Sequence, residues 1–339
     1  MKHIFLNLSK DEAQSYHWNK KGCTLHPVVI YYLNENGELV HDSVIFLSDD
    51  LKHDYYFVFE VLKRTVSHVR SHISPTVKKV YYVTDGCPNQ YKCVYNFQSI
   101  CHHQEDFGVE TEWIFFATSH GKSPCDGLGG TAKRLTTRAS LQRTVNDQIT
   151  CATEMFEFCS SSIDAIQFDF ITKERMLVLR DEQSFLSKRF DPNSLYYLPG
   201  TKSFHHFIPL STEVIAVKTV STDEEYDSVF NFRTGKWDGQ DASPAVSVTG
   251  GEFVVCEYGK QFWIGTVLTV DDIEKDCLIQ FMHPHLPANS FTWPQPRADQ
   301  CNVPYNKLRL VIKAPVTSSG RTYVIHQDDI ENVADILKE

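Results

Sequence analysis

"TEWIFFATSHGKSPCDGLGGTAKRLTTRASLQR", residues 111–143, carries the chain from an apolar run through a glycine-rich stretch into a basic, helix-like run. The apolar residues 111–118 predict a buried strand, and "AKRLTTRASLQR" predicts a helix. Between them, "SHGKSPCDGLGGTAKR" (119–134) holds four glycines, an aspartate and three cationic side chains. Two phosphate-binding signatures fail on spacing. A Walker A loop ending in Gly121-Lys122-Ser123 needs a glycine where Phe116 stands, and Gly127, Gly129 and Gly130 do not fit G-x-G-x-x-G.

Upstream of this stretch, residues 2–8, 26–33 and 38–48 predict three strands, the last two joined by the turn "NENG" (34–37). Residues 53–72 space Phe57, Val58, Val61, Leu62, Val66 and Val69 as an amphipathic helix that Pro75 ends. "KKVYYVT" (78–84) predicts a fourth strand stopping at Asp85-Gly86, and 89–103 a second helix. The order β-β-β-α-β-α-β-α over residues 1–145 is that of a mixed five-stranded RNase H-like sheet with helices, the transposase and integrase type of core.

That fold places acids at fixed points, because two cations about 4 Å apart need carboxylates converging from separate elements. Asp85 ends the fourth strand and Asp126 opens the helix after the fifth. Each also has a plain structural reading. Asp126 suits a helix N-terminus, and Asp85-Gly86 suits a strand-ending turn. The glycines around Asp126 predict a sharp strand-to-helix turn that lets a nucleic-acid backbone come close.

Composition limits the partners. The 339 residues carry a formal charge of −10, so nucleic-acid binding requires a local patch. Residues 118–145 supply one, with Lys122, Lys133, Arg134, Arg138 and Arg143 against Asp126, a local +4. His120, Lys122, Lys133, Arg134 and Arg138 are the expected nucleic-acid contacts. The N-terminus "MKHIFLNLSKDEAQ" lacks the pattern of a signal peptide, and no apolar run reaches the length of a membrane span, so an intracellular location is expected, without a membrane partner. Ten scattered cysteines fit free thiols. Cys87, Cys93, Cys101, His102 and His103 lack zinc-framework spacing, and Cys101 is expected on the buried side of a helix.

Residues 146–232 read as a mixed helical extension: helices at 150–162 and 172–190 flank a strand, "AIQFDFI". Residues 191–245 give a weak signal, with His205 and His206 expected at the surface and a linker over 233–249. Residues 250–339 predict a small SH3-like or Tudor-like β-barrel over 250–312, then a tail. Its Tyr258, Phe262, Trp263, Phe281, Phe291 and Trp293 suit a barrel core better than an aromatic cage for a methylated lysine.

The run from "VTDGCPNQYKCVYNFQSICHH" through "ATSHGKSPCDGLGGTAKRLTTRASLQR" resembles a transposon-derived, transposase-like protein family of animal genomes. "DEAQSYHWNKKGCTLHPVVIYY" and "LSDDLKHDYYFVF" extend the resemblance N-terminally, and "GEFVVCEYGKQFWIGTVL", "IQFMHP" and "FTWPQP" C-terminally. The resemblance implies a DNA partner, a nuclear location, vestigial catalytic and metal-binding roles for Asp85 and Asp126, and Mg²⁺ or Mn²⁺ for any remaining activity. It also shows a departure: the family's acidic segment after the first strand is missing from "IFLNLSKDEAQ", where Ser9 stands near the first acid's place. The expectation is a DNA-binding protein that has lost catalysis. Its rivals are an active metal-dependent transposase or nuclease that substitutes Asp11 or Glu12, and a module binding chromatin or another protein through the C-terminal barrel.

Overall fold

The computed structural model describes residues 3–8, 11–13, 22–116, 123–144, 147–190, 196–238, 247–258, 261–272, 274–286, 289–296 and 298–336. The chain forms two units. One comprises Met1–Tyr197, His205–Ser221 and Val229–Gly235, and the other Leu198–Phe204, Thr222–Ser228 and Lys236–Glu339. The second unit is therefore drawn from three stretches of chain, two of them inside the expected helical extension.

The first unit is mixed α/β. Its strands are β1 (His3–Leu8), β2 (Asp11–Ala13), β3 (Cys23–Leu33), β4 (Leu39–Ser48), β5 (Lys79–Thr84), β6 (Glu110–Phe115), β7 (Gln167–Ile171), β8 (His206–Pro209), β9 (Val214–Lys218) and β10 (Ser228–Asn231). They line up as β10-β9-β8-β6-β5-β1-β3-β4-β7, with β2 also on β3. The pairs β1–β3 and β3–β4 are antiparallel, and β1–β5 and β5–β6 are parallel. Val28, Val29 and Ile30 of β3 and Val44–Leu47 of β4 are buried without alternation, which means that helices cover both sheet faces.

On one face lie α1 (Tyr55–His68), α2 (Val94–Cys101) and α3 (His103–Phe107). The Asp54 carboxylate accepts from the Phe57 N–H at 3.1 Å and starts α1. Its buried stripe is Phe57, Val58, Val61, Leu62 and Val66. The expected end near Pro75 is reached through a single π-helical turn, Val69–Ile73. The second helix starts later than its periodicity suggests. Residues 86–93 form a tight irregular loop in which the N–H groups of Gln90, Tyr91 and Lys92 all donate to the Cys87 carbonyl. Cys101 is buried, as expected.

On the other face lie α4 (Pro124–Gln142) and α5 (Ala152–Ser162). Leu128, Ala132, Leu135 and Ala139 of α4 pack with Met155 and Cys159 of α5 onto Leu25, Ile45 and Leu47. Further on, α6 (Lys173–Arg180) and α7 (Phe185–Arg189) follow β7. Arg180 ties α6 to the start of α1 by donating to Asp54 at 2.8 Å and to Asp50.

Three further sequence expectations are corrected. The glycines 127, 129 and 130 do not form the turn before the helix: they lie inside α4, none at positive φ. The weak stretch 191–245 contains strands, since β8 pairs with β6 and β9 with β8. Strands of four or five residues stand out poorly in sequence, and here they draw their order from an existing sheet edge. His206 is not a surface residue. It is 6 % exposed, with Nε2 2.6 Å from Glu112.

In the second unit, β11 (Lys236–Asp238) is followed by β12 (Phe253–Tyr258), β13 (Gln261–Asp271), β14 (Asp276–His285), β15 (Ser290–Thr292), β16 (Asp299–Pro304), β17 (Leu308–Ile312), β18 (Tyr323–Val324) and α8 (Gln327–Ile336). Strands β12–β18 make a curled antiparallel sheet, β17-β12-β13-β14-β15-β18, with β16 also on β14. Gly265 permits this curl, because a Cβ there would lie 2.5 Å from the Gln280 carbonyl oxygen.

Candidate nucleic-acid interface

Asp85 follows β5 directly. It is half-buried, and its Oδ1 accepts from the Cys87 N–H at 2.9 Å, the turn geometry that Asp-Gly favours. Asp126 stands in the first turn of α4 and is exposed; its Oδ2 accepts from the Ser123 N–H at 2.9 Å. It thus serves the helix start at its third position, as in a capping box. Tyr91 links the two acidic ends. Its hydroxyl is fully buried and has no hydrogen-bond partner among the described residues. Burial, then the nearby Asp85 carboxylate, then the Cys125 and Cys87 thiols push its pKa up. Asp85 and Cys125, the neighbour of Asp126, therefore both lie around this one hydroxyl.

The place of the first acid can be located from the backbone. Strand β1 ends at Leu8, paired with Thr84, the residue before Asp85. Ser9 lies outside the described residues. Asp11 and Glu12 sit in β2, which continues on β3 in the register of β1: Leu8 pairs with Val28, and Asp11 with Leu25. At about 3.3 Å per residue, that carries Asp11 about 7 Å beyond the level of Asp85. Among the described residues, no three His, Cys, Asp or Glu side chains come close enough to hold a metal ion together.

The cationic residues divide. His120 and Lys122 lie outside the described residues. Lys133, Arg134 and Arg138 share the outward face of α4 with Gly130, Thr137, Leu141 and Gln142, lining an open depression of about 700 Å³. Arg134 and Arg138 are exposed and make no ion pair among the described residues. Arg143 is engaged elsewhere, its guanidinium 5.5 Å from the Phe158 ring centre. Gly127 and Gly130 add to this bare face, since a Cβ on either would meet nothing within 4 Å.

Two further basic residues lie toward the ends of β5 and β6, Lys92 beside Gly86 and His205 beside Phe115. Lys92 is 9 % exposed, and its Nζ lies 5.3 Å from the Phe115 ring centre. Its Cδ lies 3.7 Å from where a Gly86 side chain would begin. His205 is half-buried, with Nδ1 3.2 Å from the Phe115 carbonyl oxygen. Burial, then the Lys92 charge, holds its pKa below the ordinary imidazole value. No local signal marked either residue, and His205 comes beside Phe115 only through the β6–β8 pairing.

A family model matches residues 5–221, which spans this whole arrangement, and its description is a domain of unknown function, DUF8701. The chain belongs to the DUF8701 family. The match takes in both acids, the α4 face and His205, and leaves out β10–β18 and α8. No curated protein and no solved structure matches the chain. Among the described residues of this DUF8701 protein, no helix is long and apolar enough to cross a membrane.

The C-terminal aromatics line the two cores of the curled sheet. Phe281 is buried with Val254, Val267 and Ile279, and Trp263 packs on that cluster. Phe262, Phe291 and Trp293 pack against Val255, Ile264 and Met282. The side chain of Tyr258 lies outside the described residues.

Proposed function

We propose that this DUF8701 protein binds the phosphate backbone of DNA through the outward face of α4, and that its first unit is an RNase H-like, transposase-derived core without useful catalytic activity. The observation that carries the reading is that face: two exposed arginines, without an ion pair among the described residues, beside Lys133 and next to helix turns whose glycines leave the surface bare, in a chain of net charge −10. Phosphate contacts of this kind position a duplex without reading its sequence. The strand order β4-β3-β1-β5-β6, with its two antiparallel and two parallel pairings, supports the RNase H-like assignment.

Loss of catalysis rests on the ligand set. A Mg²⁺ pair requires several anionic oxygen ligands in near-octahedral order. Asp85 and Asp126 supply two carboxylates, one of them engaged at a helix start, and Asp11 sits beyond the level of Asp85. That set does not fit a two-metal centre, and no reaction step is drawn through one. Chromatin is the expected setting and the nucleus the expected location.

Gel-shift titration of a duplex over a salt series, with and without Mg²⁺ or Mn²⁺, tests the reading. Arg134→Ala with Arg138→Ala should weaken binding equally for unrelated sequences and flatten the log–log salt slope by about two. An unchanged slope removes α4 as the contact. Cleavage by the unmodified chain that is abolished in Asp85→Asn would establish the active-enzyme reading instead.

A further inference from the structure

We propose that the cleft at the amino ends of β5 and β6, where β6 and β8 part, receives an arginine side chain of a partner protein. The cleft holds about 350 Å³ and lies at the other end of β5 from Asp85, so it stands independently of the DNA reading.

One residue opens it. Strands β6 and β8 pair at Trp113–Phe207 and Ile114–His206, a register that sets Pro209 against Thr111. The N–H groups of β6 alternate in direction: Glu110 donates to Lys78 on the β5 side, and Phe115 to His205 on the β8 side. The Thr111 carbonyl therefore faces β8, where the next rung needs an N–H from residue 209. Proline has none, so the ladder stops and the strands separate. The turn beyond β8, Leu210–Thr212, forms one rim. It is fixed by Gln98, 8 % exposed, whose Nε2 donates to the Thr212 carbonyl at 3.2 Å. The Oε1 of the same amide is buried with no hydrogen-bond partner among the described residues, which leaves an acceptor beside this turn.

The lining has two halves. Ile100, Cys101, Ile208, Pro209 and Leu210 make an apolar wall, and Glu105, Glu110 and Glu112 set three carboxylates against the single ammonium of Lys79. That ammonium is already committed. It is bonded to one oxygen of Glu112, while His206 Nε2 lies 2.6 Å from the other. Glu105 is at the rim, 2.9 Å from His102 Nδ1. Glu110 is exposed and makes no ion pair among the described residues. An apolar wall with surplus carboxylate rejects anions and suits a long apolar stem that ends in a cation. A metal ion does not fit, since among the described residues no three ligating side chains converge. The acceptors are spread around the cleft: two carboxylates and the Thr111 carbonyl. A guanidinium fork reaches several acceptors at once and gives up less hydration than an ammonium. Arginine is also a common anchor in pockets at protein interfaces.

The test uses the full chain and capped Gly-X-Gly peptides in which X is arginine, lysine or citrulline, at constant ionic strength. The arginine peptide should raise the thermal unfolding midpoint saturably and shift the amide NMR signals of Leu210, Ser211 and Thr212. The citrulline peptide, of the same shape but neutral, should do neither, and the lysine peptide should bind about threefold more weakly. Glu110→Gln, a change at an exposed position, should weaken the arginine peptide about fivefold. The Arg134→Ala, Arg138→Ala chain keeps the cleft and should bind the peptide like the wild type, whatever becomes of its duplex binding. No response to the arginine peptide, equal responses to arginine and citrulline, or equal affinity in wild type and Glu110→Gln overturns the proposal. Saturable binding whose NMR shifts fall outside the cleft overturns it too. Equal affinity for the lysine peptide overturns the assignment to a guanidinium.

Discussion

At the scale of single residues, this protein stores much of its pH sensitivity in histidines kept neutral by burial. His103 is 1 % exposed, and burial pushes its pKa down to about 4, against a weaker upward pull from the Val109 carbonyl. Its Nδ1 lies 2.6 Å from that carbonyl and its Nε2 2.7 Å from the Tyr82 hydroxyl. The partners fix the tautomer: Nδ1–H donates, and Nε2 accepts from tyrosine. His26, 1 % exposed, is held down to about 3, by burial first and by His53 second. A folded pKa below the unfolded value near 6.5 means stability that is fully present above about pH 6.5. It is lost as pH falls toward the folded values. For His103 the loss is about 3 kcal/mol over that window. Urea midpoints should therefore drop between pH 6.5 and 4. His103→Phe should be about 2 kcal/mol less stable at pH 7, with two polar partners orphaned, yet lose less on acidification. A variant whose stability falls with pH as steeply as the wild type's would show that His103 does not titrate in this window.

At the scale of elements, the helix α4 shows what the sequence could and could not tell. Its existence, its basic face and the placement of Asp126 in its first turn were legible, because they follow from periodicity and from the chemistry of a helix start. That Gly127, Gly129 and Gly130 lie inside it was not. Glycines argue for a turn by propensity, and here packing of Leu128, Ala132, Leu135 and Ala139 on the sheet overrides that cost. The same limit hid the burial of His206, since its place beside Glu112 depends on the pairing of β6 with β8, two distant segments. Helical glycines with open space outside them imply a conflict between stability and contact. Gly127→Ala and Gly130→Ala should each stabilise the protein by about 0.5–1 kcal/mol. If the face receives a DNA backbone, each should also weaken duplex binding, because the added methyl stands where the backbone approaches. Denaturant midpoints and gel shifts on the same preparations check both signs. Stabilisation with undiminished binding would leave the bare turns without a role in contact.

At the scale of the whole molecule, the division into units does not follow a single cut in the chain. Leu198–Phe204 and Thr222–Ser228 belong to the unit that otherwise begins at Lys236. Within that unit, Glu274 accepts from the Gly200 N–H at 3.0 Å, and Lys202 lies 3.3 Å from Asp271. Lys307 lies 2.7 Å from Asp227, a pair with both partners mostly buried. The sequence "RTGKWDGQDASP", running into the stretch before Gly250, has the composition that proteases favour, and limited proteolysis should nick first within 239–246. The contacts above join residues on opposite sides of that nick. The two fragments should therefore co-elute in native size-exclusion chromatography and separate only in denaturant. Lys307→Met should make them part more readily, because it removes the cation 2.7 Å from the mostly buried Asp227 carboxylate. Immediate separation of the nicked fragments under native conditions would mean that residues 250–339 hold together without the two upstream segments, so that the unit boundary lies at the linker after all.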